Sequence, residues 1–143
     1  MLDREIRVGR KLFEETDRPS ASKIIFENKE EGIVERESTW TGEIKGYDVF
    51  PSGIATGSGR SYIHNNGITT SHWQGELTAE DQKEHKLTFK GRDVNKNGKF
   101  VVLRTYFAQS ETLGWMNGLV CILSGEFEPS TGVFNSTGFE LIL

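Results

Sequence analysis

Between Lys99 and Phe127 the chain carries two apolar runs joined by Ser110, Glu111, Thr112, Leu113 and Gly114. The first holds Phe100, Val101, Val102, Leu103, Tyr106 and Phe107; the second holds Trp115, Met116, Leu119, Val120, Cys121, Ile122 and Leu123. Side chains alternate across an extended chain, so each run is apolar on both faces. A sheet with one wet face shows a cleaner alternation. The pattern therefore predicts a hairpin with a packed interior on one side and a covered surface on the other.

The rest of the chain supports the same class. Arg4 to Glu14 predicts a first strand with Ile6, Val8 and Leu12 on one face. Thr16 to Ser20, containing Pro19, reads as a turn, and Lys23 to Glu27 as a short strand or a single helical turn. Strands follow at Ile33 to Lys45, Ile54 to His64, Ile68 to Leu77 and His85 to Asp93. Asn65, Asn66 and Gly67 give a strong hairpin signal between two of them. Thr78 to Lys83 is a long turn or one helical turn capped by Thr78. Asn97 and Gly98 lead into the apolar hairpin, and Val133 to Leu143 closes the chain. About eight strands joined by short turns predict an antiparallel barrel, with a β-sandwich as the alternative. An apolar last strand needs a partner, which a barrel supplies by pairing it with the first.

Glycine is frequent, with 16 in 143 residues, and hydrophobic residues make up 35%. Glycines inside strands, among them Gly42, Gly57, Gly75, Gly125 and Gly138, predict a strongly bent sheet. A short cadence reinforces this: Trp40-Thr41-Gly42-Glu43 recurs as Trp73-Gln74-Gly75-Glu76, and Ser124-Gly125-Glu126 repeats its end. The length predicts one domain over residues 1–143. The net charge of −4 and the lack of a clustered basic run argue against a nucleic-acid partner. No stretch has the length and apolarity of a membrane span or a signal peptide, and a lone Cys121 makes no internal disulfide; a cytoplasmic location is the expectation.

From Thr39 onward the chain resembles the small antiparallel barrels of the allene oxide cyclase-like type, broadly calycin-like. The resemblance rests on the Gly-bent strands, the Trp-x-Gly-Glu segments, Ser124 to Phe127, and the strand from Thr131-Gly132-Val133-Phe134 to Gly138-Phe139-Glu140-Leu141. It implies an eight-stranded barrel, a mainly apolar lumen and frequent oligomerisation. No catalytic motif of the plant cyclase is matched residue by residue, so no catalytic residue is carried over. Fold likeness does not carry an activity.

Candidate chemistry lies among the polar residues within strands. Glu43, Glu76 and Glu126 each follow a strand glycine. Facing an apolar lumen, Glu76 or Glu126 would have a raised pKa and could act as a general acid or base; facing out, they are solvated surface charges. Arg104 and Tyr106 share a face of the apolar hairpin. A buried Arg needs a partner, either Glu126 or Glu76 in a structural pair or the carboxylate of a ligand. Trp73 and Trp115 are candidate cavity walls. His64 and His72 flank the Asn65-Gly67 turn without a third ligand nearby, and His85 stands at another strand start, so no metal site is expected. Cys121, between Val120 and Ile122, reads as a buried inert thiol. Asp93 to Gly98 opens like a calcium loop, but Arg104 stands where a bidentate Glu is required.

The sequence thus leads to three functional expectations. The first is a barrel that binds a small apolar or amphipathic molecule, without a cofactor and as a homo-oligomer. The second is a cyclase or isomerase with a lumen Glu as acid or base. The third is a structural or interaction protein with a filled barrel.

Overall fold

The computed structural model describes residues 5–81 and 86–143. Eight antiparallel strands close into a barrel in sequence order. They are β1 (Arg7–Asn28), β2 (Ile33–Gly46), β3 (Gly53–His64), β4 (Ile68–Ala79), β5 (Lys86–Lys96), β6 (Lys99–Ala108), β7 (Leu119–Glu128) and β8 (Val133–Ile142). β8 pairs with β1 from Arg7 opposite Ile142 to Asp17 opposite Phe134, which closes the ring. The barrel expectation therefore holds and the sandwich alternative does not. The expected strand starts at Arg4 and His85, and the Gln82-Lys83 end of a turn, lie outside the described residues.

β1 differs from the sequence expectation. The turn at Thr16 to Ser20 and the separate short element after it are one strand of 22 residues. Its pairing with β2 shifts register between Pro19 and Ala21 and again between Ile24 and Phe26. Proline is tolerated in a sheet at such an irregularity, and the bulge bends the strand around the barrel instead of ending it. The Asn97-Gly98 turn behaves as expected, with φ of 53° and 89° at its two central residues.

Five in-strand glycines of the lumen face lie opposite an aromatic side chain of a neighbouring strand. Gly57 faces Trp40, Gly59 faces Trp73, Gly75 faces Phe89, Gly125 faces Phe100 and Gly138 faces Phe13. A Cβ at Gly57 would stand 2.6 Å from the Trp40 ring. The glycines are thus explained by space: an aromatic ring folds over the bare backbone across the ladder, a pairing that also protects that backbone from water.

The lumen is divided along its axis. At the end bearing the β2–β3 and β6–β7 loops it is solid. Phe50 from the first loop packs on Phe13 (ring centroids 4.7 Å apart) and on Tyr106 (5.6 Å). Leu113 and Met116 from the second loop are buried with Leu12, Leu77 and Leu87. Trp115 sits here, on a short 3-10 turn (Gly114–Met116), not in a strand as its apolar run suggested. Outside the barrel, Val101, Leu103 and Phe107 of β6 remain 48%, 49% and 42% exposed, so the hairpin is apolar on both faces as expected.

Candidate functional site

Above the aromatic plug a layer of charge crosses the lumen. The Arg104 guanidinium donates to both oxygens of Glu15, from Nη1 at 2.7 Å and Nη2 at 2.9 Å, and also from Nη1 to the Tyr106 hydroxyl at 3.0 Å. It stacks over the Phe89 ring 4.5 Å from the centroid. Both ions are buried. Burial opposes ionisation of Glu15, but the charge and hydrogen bonds of Arg104 outweigh it and hold the carboxyl below its ordinary range. Burial pushes the Tyr106 hydroxyl up, so it stays neutral beside them.

Asp17 is two residues further along β1, on the same face. It is hydrogen-bonded to Glu15, and burial together with the adjacent Glu15 charge pushes its carboxyl up to about 10. Its Oδ1 is buried with no hydrogen-bond partner among the described residues. That oxygen packs so closely over Gly42 that a side chain there would collide with it. A bare carboxylate oxygen in such a place is costly, whereas a neutral acid whose other oxygen shares its proton with Glu15 is not. The arrangement is a carboxyl pair holding one proton, clamped by Arg104.

Beyond this floor the lumen opens into a cavity of about 420 Å³ that reaches the Asn97-Gly98 turn. Its walls include Trp40, Trp73, Phe89, Phe100 and Phe134, with Ser38, Ser61, Ser71 and Ser136 between them. Strand alternation puts Trp40 beside Arg36 and Ser38 on β2, and Trp73 beside Ser71 on β4. Asp93 of β5 accepts a hydrogen bond from the Trp73 indole at 3.0 Å. Its other oxygen is buried without a partner among the described residues, and burial raises its carboxyl against the pull of Trp73, Ser71 and Arg104. Arg36 also lines the cavity, with its Nε buried and unpartnered among the described residues.

The sequence candidates are sorted by this geometry. Arg104 and Tyr106 are brought together, but the partner is Glu15, not Glu126 or Glu76, and both hydrogen-bonding edges of the pair are occupied. Trp73 forms a cavity wall. Trp115 does not: it lies at the plugged end, 6.4 Å from the Phe50 ring centroid and under Arg10. Glu43, Glu76 and Glu126 are exposed on the outer face. The expected lumen acid at Glu76 or Glu126 is corrected by strand alternation: with Trp73 and Gly75 pointing in, Glu76 points out. Burial raises the Cys121 thiol to about 12, which removes it as a nucleophile. The residues missed in the sequence are Glu15, Asp17, Asp93 and Arg36. Their signal was available in part, since each shares strand parity with an inward aromatic or glycine.

No protein-family model and no curated protein matches this sequence. Solved structures do. A β-barrel-like protein from Acinetobacter baumannii superimposes with a TM-score of 0.79 at 12% identity, covering 99% of each chain. A conserved protein of unknown function from Rhodopseudomonas palustris gives 0.76 at 12% identity, over 98% of this chain and 100% of that one. A protein from Penicillium herquei described as an enzyme gives 0.67 at 14% identity, over 98% of each chain. At these identities the likeness is one of fold.

Proposed function

We propose that this protein binds a small amphipathic molecule in the open half of its barrel. The observation that carries this is the cavity of about 420 Å³, walled by aromatic rings and floored by the hydrogen-bonded Arg104, Glu15 and Tyr106. That volume falls in the range of small-molecule sites, and its mix of apolar walls with a few convergent polar groups is what such sites use. A wholly filled barrel would leave no such space, so the structural-protein alternative loses its main support. The resemblance to allene oxide cyclase-like barrels belongs with this reading, as a lumen suited to an apolar body.

The test is a titration with Nile red, a neutral fluorophore that brightens in apolar surroundings. The expected result is saturable binding that is lost in Ser38→Phe, whose new ring fills the lumen. Failure to bind, or equal binding by the filled variant, would overturn the proposal.

A second reading is catalytic, and the Asp17–Glu15 pair favours it. A proton held in a buried carboxyl pair beside a ligand is a general acid, as a cyclase or isomerase requires. On this reading the acid is Asp17 on β1, not Glu76 or Glu126. The Penicillium neighbour described as an enzyme is compatible with it.

Self-association through the exposed Val101, Leu103 and Phe107 face is part of the same proposal. Sedimentation should show an oligomer that Leu103→Glu dissociates; a wild-type monomer would remove it.

A further inference from the structure

We infer that the cavity selects organic anions, with Arg36 binding a ligand carboxylate while the ligand's apolar body lies against Trp40, Trp73 and Phe100. This inference rests on the binding proposal above and names the class of ligand.

The cations of the lumen are not equivalent. Arg104 is spent on Glu15 through two hydrogen bonds and on Tyr106 through a third. Arg36 lies on the same barrel interior, nearer the hairpin turns, and is half-buried. No carboxylate lies within ion-pair distance of it among the described residues, and its Nε is buried without an acceptor. The neighbouring carboxylates on β2 point the other way and are engaged. Glu35 lies 3.3 Å from Arg60, and Glu37 lies 3.7 Å from Lys23. An Arg half-withdrawn from water with an unused donor is an incomplete bidentate site, and a planar carboxylate completes it.

No other charged group of the cavity pairs with Arg36 among the described residues. Glu15 is neutralised by Arg104. Asp17 holds its proton, with a carboxyl raised to about 10 by burial and by Glu15. Asp93 is held by the Trp73 indole at 3.0 Å, and burial raises its carboxyl against the pull of Trp73, Ser71 and Arg104. Arg36 is thus a cavity cation with no ion pair among the described residues, inside a chain whose net charge is −4. Anions are repelled by the protein as a whole and attracted at this one place, so the preference must come from close contact, not from long-range steering.

The experiment compares naphthoate with naphthamide, a neutral molecule of nearly the same shape, by calorimetric titration of the full chain at low salt. The expected result is that naphthoate binds at least about tenfold more tightly, a charge-assisted contribution of ~1.4 kcal/mol. Arg36→Gln should abolish that difference, while Arg36→Lys should keep part of it. Equal affinity of the wild-type protein for the two naphthalenes would overturn the inference. If Nile red still binds, the cavity proposal stands without it. If neither naphthalene nor Nile red binds, both fail together.

Discussion

Glu15 and Arg104 meet in the closed lumen as a fork-to-fork ion pair, two hydrogen bonds of 2.7 and 2.9 Å linking residues 89 positions apart. β1 and β6 are not neighbours in the sheet, so this pair spans the barrel and fixes the floor of the cavity. Breaking it from one side leaves a buried charge alone. Glu15→Met or Arg104→Met should each lower unfolding stability by about 3–5 kcal/mol, while the double change to Met at both positions should recover most of the loss. Urea unfolding of the three variants measures this; an additive double mutant would contradict it.

The Asp17–Glu15 pair gives stability a direction with pH. Asp17 titrates at about 10 when folded, against an ordinary carboxyl value of ~3.9 in the unfolded chain. Between those values the folded state holds a proton that the unfolded state lacks, so stability falls as pH rises toward 10. Glu15, held low by Arg104, acts in the opposite sense and loses its contribution only as pH falls below ~4.3. Stability should therefore decline from roughly pH 6 to roughly pH 9, and Asp17→Asn, which mimics the protonated acid, should flatten that decline. A wild-type profile level across this window would show that Asp17 is ionised.

The pairing of Trp40 with Gly57 predicts a steric cost where an ordinary strand would gain from a side chain. A methyl at position 57 would stand 2.6 Å from the indole, whose own face is held against Phe89 at 5.8 Å between centroids. Gly57→Ala should destabilise by about 1–3 kcal/mol through overpacking, although alanine is usually at least as good as glycine in a strand. Denaturant melts of Gly57→Ala alone and with Trp40→Val should show the loss largely relieved in the double variant.

The outward carboxylates should be functionally quiet. Glu126→Gln should change stability by less than about 0.5 kcal/mol and leave Nile red affinity unaltered. A large loss of binding in this variant would mean that the ligand sits on the outer wall.

Most of the architecture was legible because barrels enforce a period of two over long stretches. Asn65-Gly67 and Asn97-Gly98 mark strand boundaries through turn chemistry that local sequence records. Pro19 misled because proline signals a turn unless a bulge accommodates it, and the bulge depends on β2. Trp115 misled because Gly114 and Met116 belong to a turn that packs its apolar side chains into the barrel end. The site was less legible. Glu15 follows Lys11 and Glu14 in what reads as a solvated edge, and only Arg104, placed opposite by closure of the ring, makes it a core residue. The cue that was present is parity: once Trp40 and Gly42 point inward, Glu43 cannot, and the acids that share the lumen must be sought on other strands.

The most direct test of the central claim uses the three indole N–H resonances as position markers during addition of naphthoate to the labelled protein. Trp40 and Trp73 line the open half of the lumen, while Trp115 lies at the plugged end. Saturable shifts of the Trp73 and Trp40 signals are expected, with Trp115 unmoved. Shifts confined to Trp115, or no shift of Trp73, would contradict it.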